Sequence, residues 1–155
     1  MAITPYLYYE DLDAAMTWLR KALGLSRVGP AQKGPDGRAS HATMQLGGGL
    51  VMMGQPASAR KYKNPKRLGY TTQSLYIMVE SVDRHHARAV KAGAVVLEAP
   101  FDTPYGHRRY GVADPEGHEW YFAQELRAPR KATASRGPAV NRKAQKASQT
   151  RTAKR

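Results

Sequence analysis

The chain contains no cysteine, which excludes disulfides, thiolate metal ligands and a cysteine nucleophile. It also lacks any run close to the roughly 20 apolar residues that a membrane-spanning helix needs. The residues that follow Met1 include neither the basic nor the apolar region of a signal peptide. We therefore expect a soluble, cytoplasmic protein that does not enter a membrane.

Acidic residues are missing from the C-terminal segment. Residues 127–155 hold ten Lys and Arg and no Asp or Glu, whereas residues 1–126 hold 15 basic and 12 acidic residues, a net charge of +3. The segment 127–155 also has almost no large apolar side chain, so burial cannot offset the entropy lost on ordering it. The composition predicts one compact domain over 1–126, followed by a disordered basic tail.

The two halves of the compact part repeat one another. The sequence Tyr9–Asp13 opens a helical pattern, and Val79–Asp83 opens a similar one seventy positions later. A short run rich in Tyr, Leu and Ile precedes each helix, and three strand-like runs follow it. A repeat of this size is typical of a duplicated supersecondary unit. The order of elements predicts two βαβββ modules, at 1–54 and 72–126.

We predict an α+β fold in which the two modules pair into one curved eight-stranded mixed sheet. Its helices would lie on the convex side, and its concave side would form a cup. Because strand residues alternate between the two faces, sequence parity assigns aromatic and polar side chains to the cup, with Tyr105 at its lip. The candidate ligand-binding residues are Tyr6, Tyr8, His41, Met53, Tyr76, Tyr105, Arg109, Glu119 and Tyr121.

Three stretches carry a resemblance to a known family: 8–15, 76–83 and 105–120. They are similar to the vicinal oxygen chelate superfamily, which includes glyoxalases, bleomycin-resistance proteins and extradiol dioxygenases. The resemblance covers roughly residues 3–126. It implies paired βαβββ modules and commonly a homodimer, sometimes with modules exchanged between chains.

The resemblance also identifies four positions where metal enzymes of the family place their ligands. In this sequence they hold Thr4, Met53, Ser74 and Tyr121. None is the imidazole or carboxylate that a divalent ion prefers. We therefore expect no metal and no cofactor, and we predict metal-independent binding of a small organic molecule, as in the drug-sequestering members.

Two other functions stay open. A glyoxalase-like lyase or isomerase would use His41 or Glu119 as its acid–base group, although Glu119 is also explained as a rim carboxylate paired with Arg109. The aromatic side chains can also simply fill the interior of a small barrel. A nucleic-acid-associated protein would use the basic tail, since ten positive charges attract phosphate backbones without reading bases.

The role of the tail can be tested directly. Deletion of residues 127–155 should abolish retention on a DNA column, because the deleted segment carries +10 of the net charge of +13. Retention of the full chain should fall steeply with added salt. Equal retention of the two proteins at every salt concentration would contradict a role of the tail in nucleic-acid binding.

Overall fold

A computed structural model describes residues 2–56 and 61–126, so the predicted disorder of the tail lies outside the described residues. No helix in these two ranges is long and apolar enough to cross a membrane. In chain order, the elements are β1 (Tyr6–Tyr8), α1 (Leu12–Leu23), β2 (Ser26–Arg27), β3 (Gln32–Lys33), β4 (Ala39–Leu46), β5 (Gly49–Gly54), α2 (Pro65–Leu68), β6 (Ser74–Met78), α3 (Val82–Lys91), β7 (Val95–Asp102), β8 (His107–Ala113) and β9 (Glu119–Glu125).

Local sequence fixes the two long helices. The Asp11 carboxylate caps α1 by accepting a hydrogen bond from the Ala14 N–H at 3.0 Å. Gly24 ends this helix in the left-handed conformation, at φ 80°, which favours glycine. In α3 the Ser81 hydroxyl is the N-terminal cap, and it accepts from the Arg84 N–H. Both helices begin within the stretches Tyr9–Asp13 and Val79–Asp83, as the sequence predicts.

The strands form two sheets. Sheet 1 has the order β1-β5-β4-β2, with β3 also paired to β4, and sheet 2 has the order β6-β9-β8-β7. In each sheet the first strand of the module pairs in parallel with its last strand, β1 with β5 and β6 with β9. The pairs β4–β5, β7–β8 and β8–β9 are antiparallel. The fold class and the modular order are confirmed. The predicted continuous eight-stranded sheet is not seen, because every strand pair of the described residues lies within one module.

The helices join the modules through one shared core. Helices α1 and α3 contact each other, and buried side chains from both modules belong to a single apolar cluster. On α3, His85 places Nδ1 2.5 Å from the Tyr110 hydroxyl and Nε2 2.9 Å from the Leu23 carbonyl oxygen at the end of α1. Arg88 donates to two further carbonyls there, those of Arg20 and Lys21. Module 2 thus satisfies acceptors that the end of α1 leaves open.

A buried carboxylate forms a second connection between the modules. Asp114, which is 4% exposed, accepts hydrogen bonds from the Tyr9 hydroxyl at 2.6 Å and from Trp120 Nε1 at 3.1 Å. The backbone N–H groups of Glu116 and His118 donate to its other oxygen. Four donors therefore offset the cost of burying this group. Burial and the neighbouring Asp114 both raise the pKa of Tyr9 well above its usual value.

The turn after Asp114 also holds the start of α1. The Glu116 carboxylate accepts from the backbone N–H groups of Glu10 and Asp11 at 2.8 and 3.0 Å. Buried His118 places Nε2 2.9 Å from the Tyr8 carbonyl oxygen. The turn 114–117 thus connects the two modules.

Removing one donor from this cluster should weaken the fold. Tyr9→Phe should lower the free energy of unfolding by about 1–3 kcal/mol, because it deletes a buried hydrogen bond to a carboxylate. Urea unfolding measures the difference. The control is Tyr70→Phe, which removes the same hydroxyl from a side chain that is 62% exposed. Equal free energies of unfolding for the two variants would show that the hydrogen bond from Tyr9 to Asp114 does not stabilise the fold.

Candidate functional site

Each sheet packs one face on the core and exposes the other. On the exposed face of sheet 1, here the first face, aromatic and thioether side chains surround a few small polar groups. On the exposed face of sheet 2, here the second face, tyrosines lie beside charged groups. The first face comprises Tyr6, Tyr8, His41, Thr43, Leu50 and Met52, and the second comprises Tyr76, Met78, Glu98, Phe101, Arg109, Glu119 and Tyr121.

Rings form a continuous strip on the first face. The ring centroids of Tyr6 and Tyr8 are 5.1 Å apart, and those of Tyr6 and His41 are 5.8 Å apart. Tyr8 also stacks on Tyr62 at 4.4 Å, with an interplanar angle of 19°. Such a strip offers apolar surface with polar edges, which suits a flat organic ligand.

A polar network lies along the second face. The Tyr76 hydroxyl is 2.9 Å from His107 Nδ1, and Tyr105 packs edge-on against the same imidazole at 5.4 Å. Burial and the neighbouring phenol of Tyr105 raise the pKa of Tyr76. Tyr105 therefore borders the second face.

Arg109 is held inside the second face. Its guanidinium carbon lies 5.3 Å from the Phe101 ring centroid and 5.1 Å from that of Tyr121. Its Nη2 donates to both carboxylate oxygens of Glu98, at 2.7 and 3.0 Å. The expected pairing of Arg109 with Glu119 is therefore wrong. The strand register explains the difference. Glu98 on β7 lies opposite Gly111 on β8, and Gly111 is two residues from Arg109 on the same strand. The side chains of Glu98 and Arg109 therefore lie on the same face of the sheet.

Two glycines make room for tyrosine rings. A Cβ placed on Gly111 would lie 2.6 Å from Cε1 of Tyr121, and one placed on Gly54 would collide with the ring of Tyr6. Each ring thus occupies the space that a side chain on a neighbouring strand would fill. The same contact between a tyrosine ring and a glycine occurs in both modules. On each exposed face, one tyrosine ring therefore packs directly against the backbone of its sheet.

The predicted orientation of β5 is wrong. Met53 is 0% exposed in the core, whereas Met52 is 38% exposed on the first face. The two-residue turn between β4 and β5 pairs Leu46 with Gly49 and Met44 with Val51. Paired residues share a face, so the buried Met44 brings Val51 and Met53 into the core. The turn at 47–48 was the signal that would have corrected the prediction.

The structure separates the other candidates into two groups. Tyr6, Tyr8 and His41 lie on the first face, whereas Tyr76, Arg109, Glu119 and Tyr121 lie on the second. A groove of about 810 Å³ groups Tyr76 and Met78 with the turn Leu46–Gly49, not with Tyr6 or Tyr8. The side chains that the prediction missed are Leu50, Met52, Glu98, Phe101 and His107.

Comparisons with known proteins agree with this architecture. The sequence profile of the Glyoxalase/Bleomycin resistance protein/Dioxygenase superfamily matches residues 3–122. The chain belongs to this superfamily.

Relatives and solved structures resemble this member of the superfamily to different degrees. It is 34% identical over 129 residues to uncharacterized protein Mb0911c of Mycobacterium bovis, covering 81% of this chain and 84% of that protein. The crystal structure of TioX from Micromonospora sp. ML1 superposes with a TM-score of 0.66 at 31% identity, covering 81% of this chain and 99% of TioX. A glyoxalase-related enzyme from Clostridium phytofermentans shares the fold at 13% identity, with a TM-score of 0.63 and coverage of 81% and 95%.

The metal of the superfamily's enzymes does not fit the residues of this member. With the orientation of β5 corrected, the four positions that the resemblance assigns to ligands hold Thr4, Met52, Ser74 and Tyr121. Hydroxyls, a phenol and a thioether form a poor donor set for a divalent ion. Within 2–56 and 61–126, no group of three or more His, Asp or Glu could hold one.

Neighbouring methionines test the corrected register. Met53→Ala should lower the free energy of unfolding by about 2–5 kcal/mol, because it leaves a cavity in the core. Met52→Ala, the same substitution one position away, should change it by less than about 1 kcal/mol. Urea unfolding of both variants decides the orientation, and a larger loss for Met52→Ala would reverse it.

Proposed function

We propose that this superfamily member binds a planar organic molecule on its tyrosine-rich sheet faces without the help of a metal. The observation that carries this proposal is the tyrosine ring that packs over a glycine on each face. Tyr6 and Tyr121 each lie over a glycine, so each ring presents a surface to whatever covers the sheet. Phenol rings bury a large apolar area and offer one polar edge, which favours stacking on a flat ligand.

A second copy of the chain would complete the site. Large apolar side chains remain exposed on both faces, among them Leu50, Met52, Tyr76, Met78 and Phe101. Exposed patches of this kind mark interaction surfaces. In a twofold dimer, the first face of one protomer would lie over the second face of its partner and form two equal cavities. The proposed active unit is therefore a homodimer.

Binding explains the described groups better than catalysis does. The ring of His41 contacts the ring of Tyr6, and the carboxylate of Glu119 contacts the Tyr121 hydroxyl at 3.3 Å. Among residues 2–56 and 61–126, neither of these acid–base candidates forms an ion pair. The family description includes bleomycin-resistance proteins, which makes sequestration of an organic compound a precedent within the superfamily. A lyase or isomerase is the alternative.

The glycines provide a sharp test of ligand stacking. Gly111→Ala should weaken binding of a neutral planar probe, 2-naphthalenemethanol, by about tenfold, because the new Cβ displaces the Tyr121 ring. Tyr121→Leu should have a similar effect. Quenching of naphthalene fluorescence measures the affinity, and circular dichroism checks that each variant is folded.

A third glycine supplies the matched control. Gly34→Ala adds the same methyl group in the turn before β4, at a residue with an ordinary φ, where the nearest atom is a carboxylate oxygen of Asp36 and not a tyrosine ring, so affinity should not change. If the probe does not bind, or if all three variants bind it as the wild type does, the proposed function is wrong. Native mass spectrometry of the purified protein reports the dimer in parallel. Stoichiometric metal together with turnover of a thiol adduct would favour the enzyme.

A further inference from the structure

Glu119 has no countercharge in the described structure. Its carboxylate is half-buried on the second face, where its one hydrogen bond comes from the Tyr121 hydroxyl at 3.3 Å. Within 2–56 and 61–126, no Lys, Arg or His lies within ion-pair distance of it. A half-buried charge without a partner is costly, so the site favours a positive group that arrives from outside.

The positive charge that lies over the Tyr121 ring is already neutralised. Arg109 pairs with Glu98 and lies between two aromatic rings. Burial raises the pKa of Tyr121, the carboxylates of Glu119 and Glu98 raise it further, and Arg109 lowers it. Two carboxylates and one guanidinium thus act on this phenol.

The charge of the second face differs from that of the chain as a whole. Residues 1–126 carry a net charge of +3, yet the outward positions of β9 hold two carboxylates, those of Glu119 and Glu125. The outward positions of β1, β4 and β5 on the first face hold no Asp, Glu, Lys or Arg. The second face thus places two carboxylates beside aromatic rings in a protein whose net charge is positive.

We propose that the ligand is a planar aromatic cation, such as a protonated amine, with Glu119 as its counter-ion. This inference rests on the proposed function and names its ligand class. The rings of Tyr76 and Tyr121 reinforce the selection, because the face of a phenol ring attracts a cation. A carboxylate in an aromatic setting thereby discriminates by charge as well as by shape.

Three naphthalene probes of the same ring size separate charge from shape. They are 2-naphthylmethylammonium, 2-naphthalenemethanol and 2-naphthoate, which are cationic, neutral and anionic at pH 7. Isothermal titration of the full-length protein should give an affinity for the cation about tenfold above that for the alcohol. The anion should bind least well.

Charge-removing variants test the role of Glu119. Glu119→Gln should remove the advantage of the cation, so that the cation and the alcohol bind the variant with affinities within about twofold of each other. Asp36→Asn is the control, since it makes the same carboxylate-to-amide change at an exposed position of the turn 34–37 and keeps the oxygen that accepts from the Arg38 N–H. Its cation preference should equal that of the wild type.

The outcomes distinguish the two proposals. If the alcohol binds as tightly as the cation, or if the anion binds best, the inference about charge is overturned while stacking on the faces stands. If Glu119→Gln keeps the full preference for the cation, Glu119 is not its counter-ion and the inference also fails. If no probe binds, the proposed function itself is wrong.

Discussion

Each sheet of this protein can bury only one of its faces, because the two modules share a single core with helices α1 and α3 in contact. The buried faces supply the apolar area that drives folding. The other faces stay outside the core, and they carry the exposed tyrosines and methionines. The arrangement of the candidate site thus follows from where the core lies.

Polar groups fix how the modules meet. The buried carboxylate of Asp114 accepts hydrogen bonds from Tyr9, which follows β1, from β9 and from its own turn, while His85 and Arg88 bond the carbonyls at the end of α1. An apolar core alone tolerates small shifts of one module on the other. Directional hydrogen bonds do not, since an unpaired buried group costs its full desolvation energy. The relative placement of the two exposed faces is therefore well specified.

Strand parity predicted most of the candidate site and failed at one strand. It assigned Tyr6, Tyr76 and Tyr121 to the exposed faces, as the structure does. It failed at β5, where a slip of one residue exchanged Met52 and Met53 between the two sides. It also missed Glu98 as the partner of Arg109, because β7 pairs with β8 through register shifts that alternation cannot reveal.

The sequence by itself determined the duplication, the helix caps and the chemical character of the outward strand residues. Those features depend on contacts between near neighbours and on the alternation of side chains along a strand. Only the tertiary structure decided that the two aromatic faces are separate within one chain. It also decided that Arg109 is neutralised by Glu98, while Glu119 has no ion-pair partner among residues 2–56 and 61–126. These outcomes depend on the register between strands that are distant in the sequence and on which helices pack together. The pattern of residues along the chain specifies neither of them.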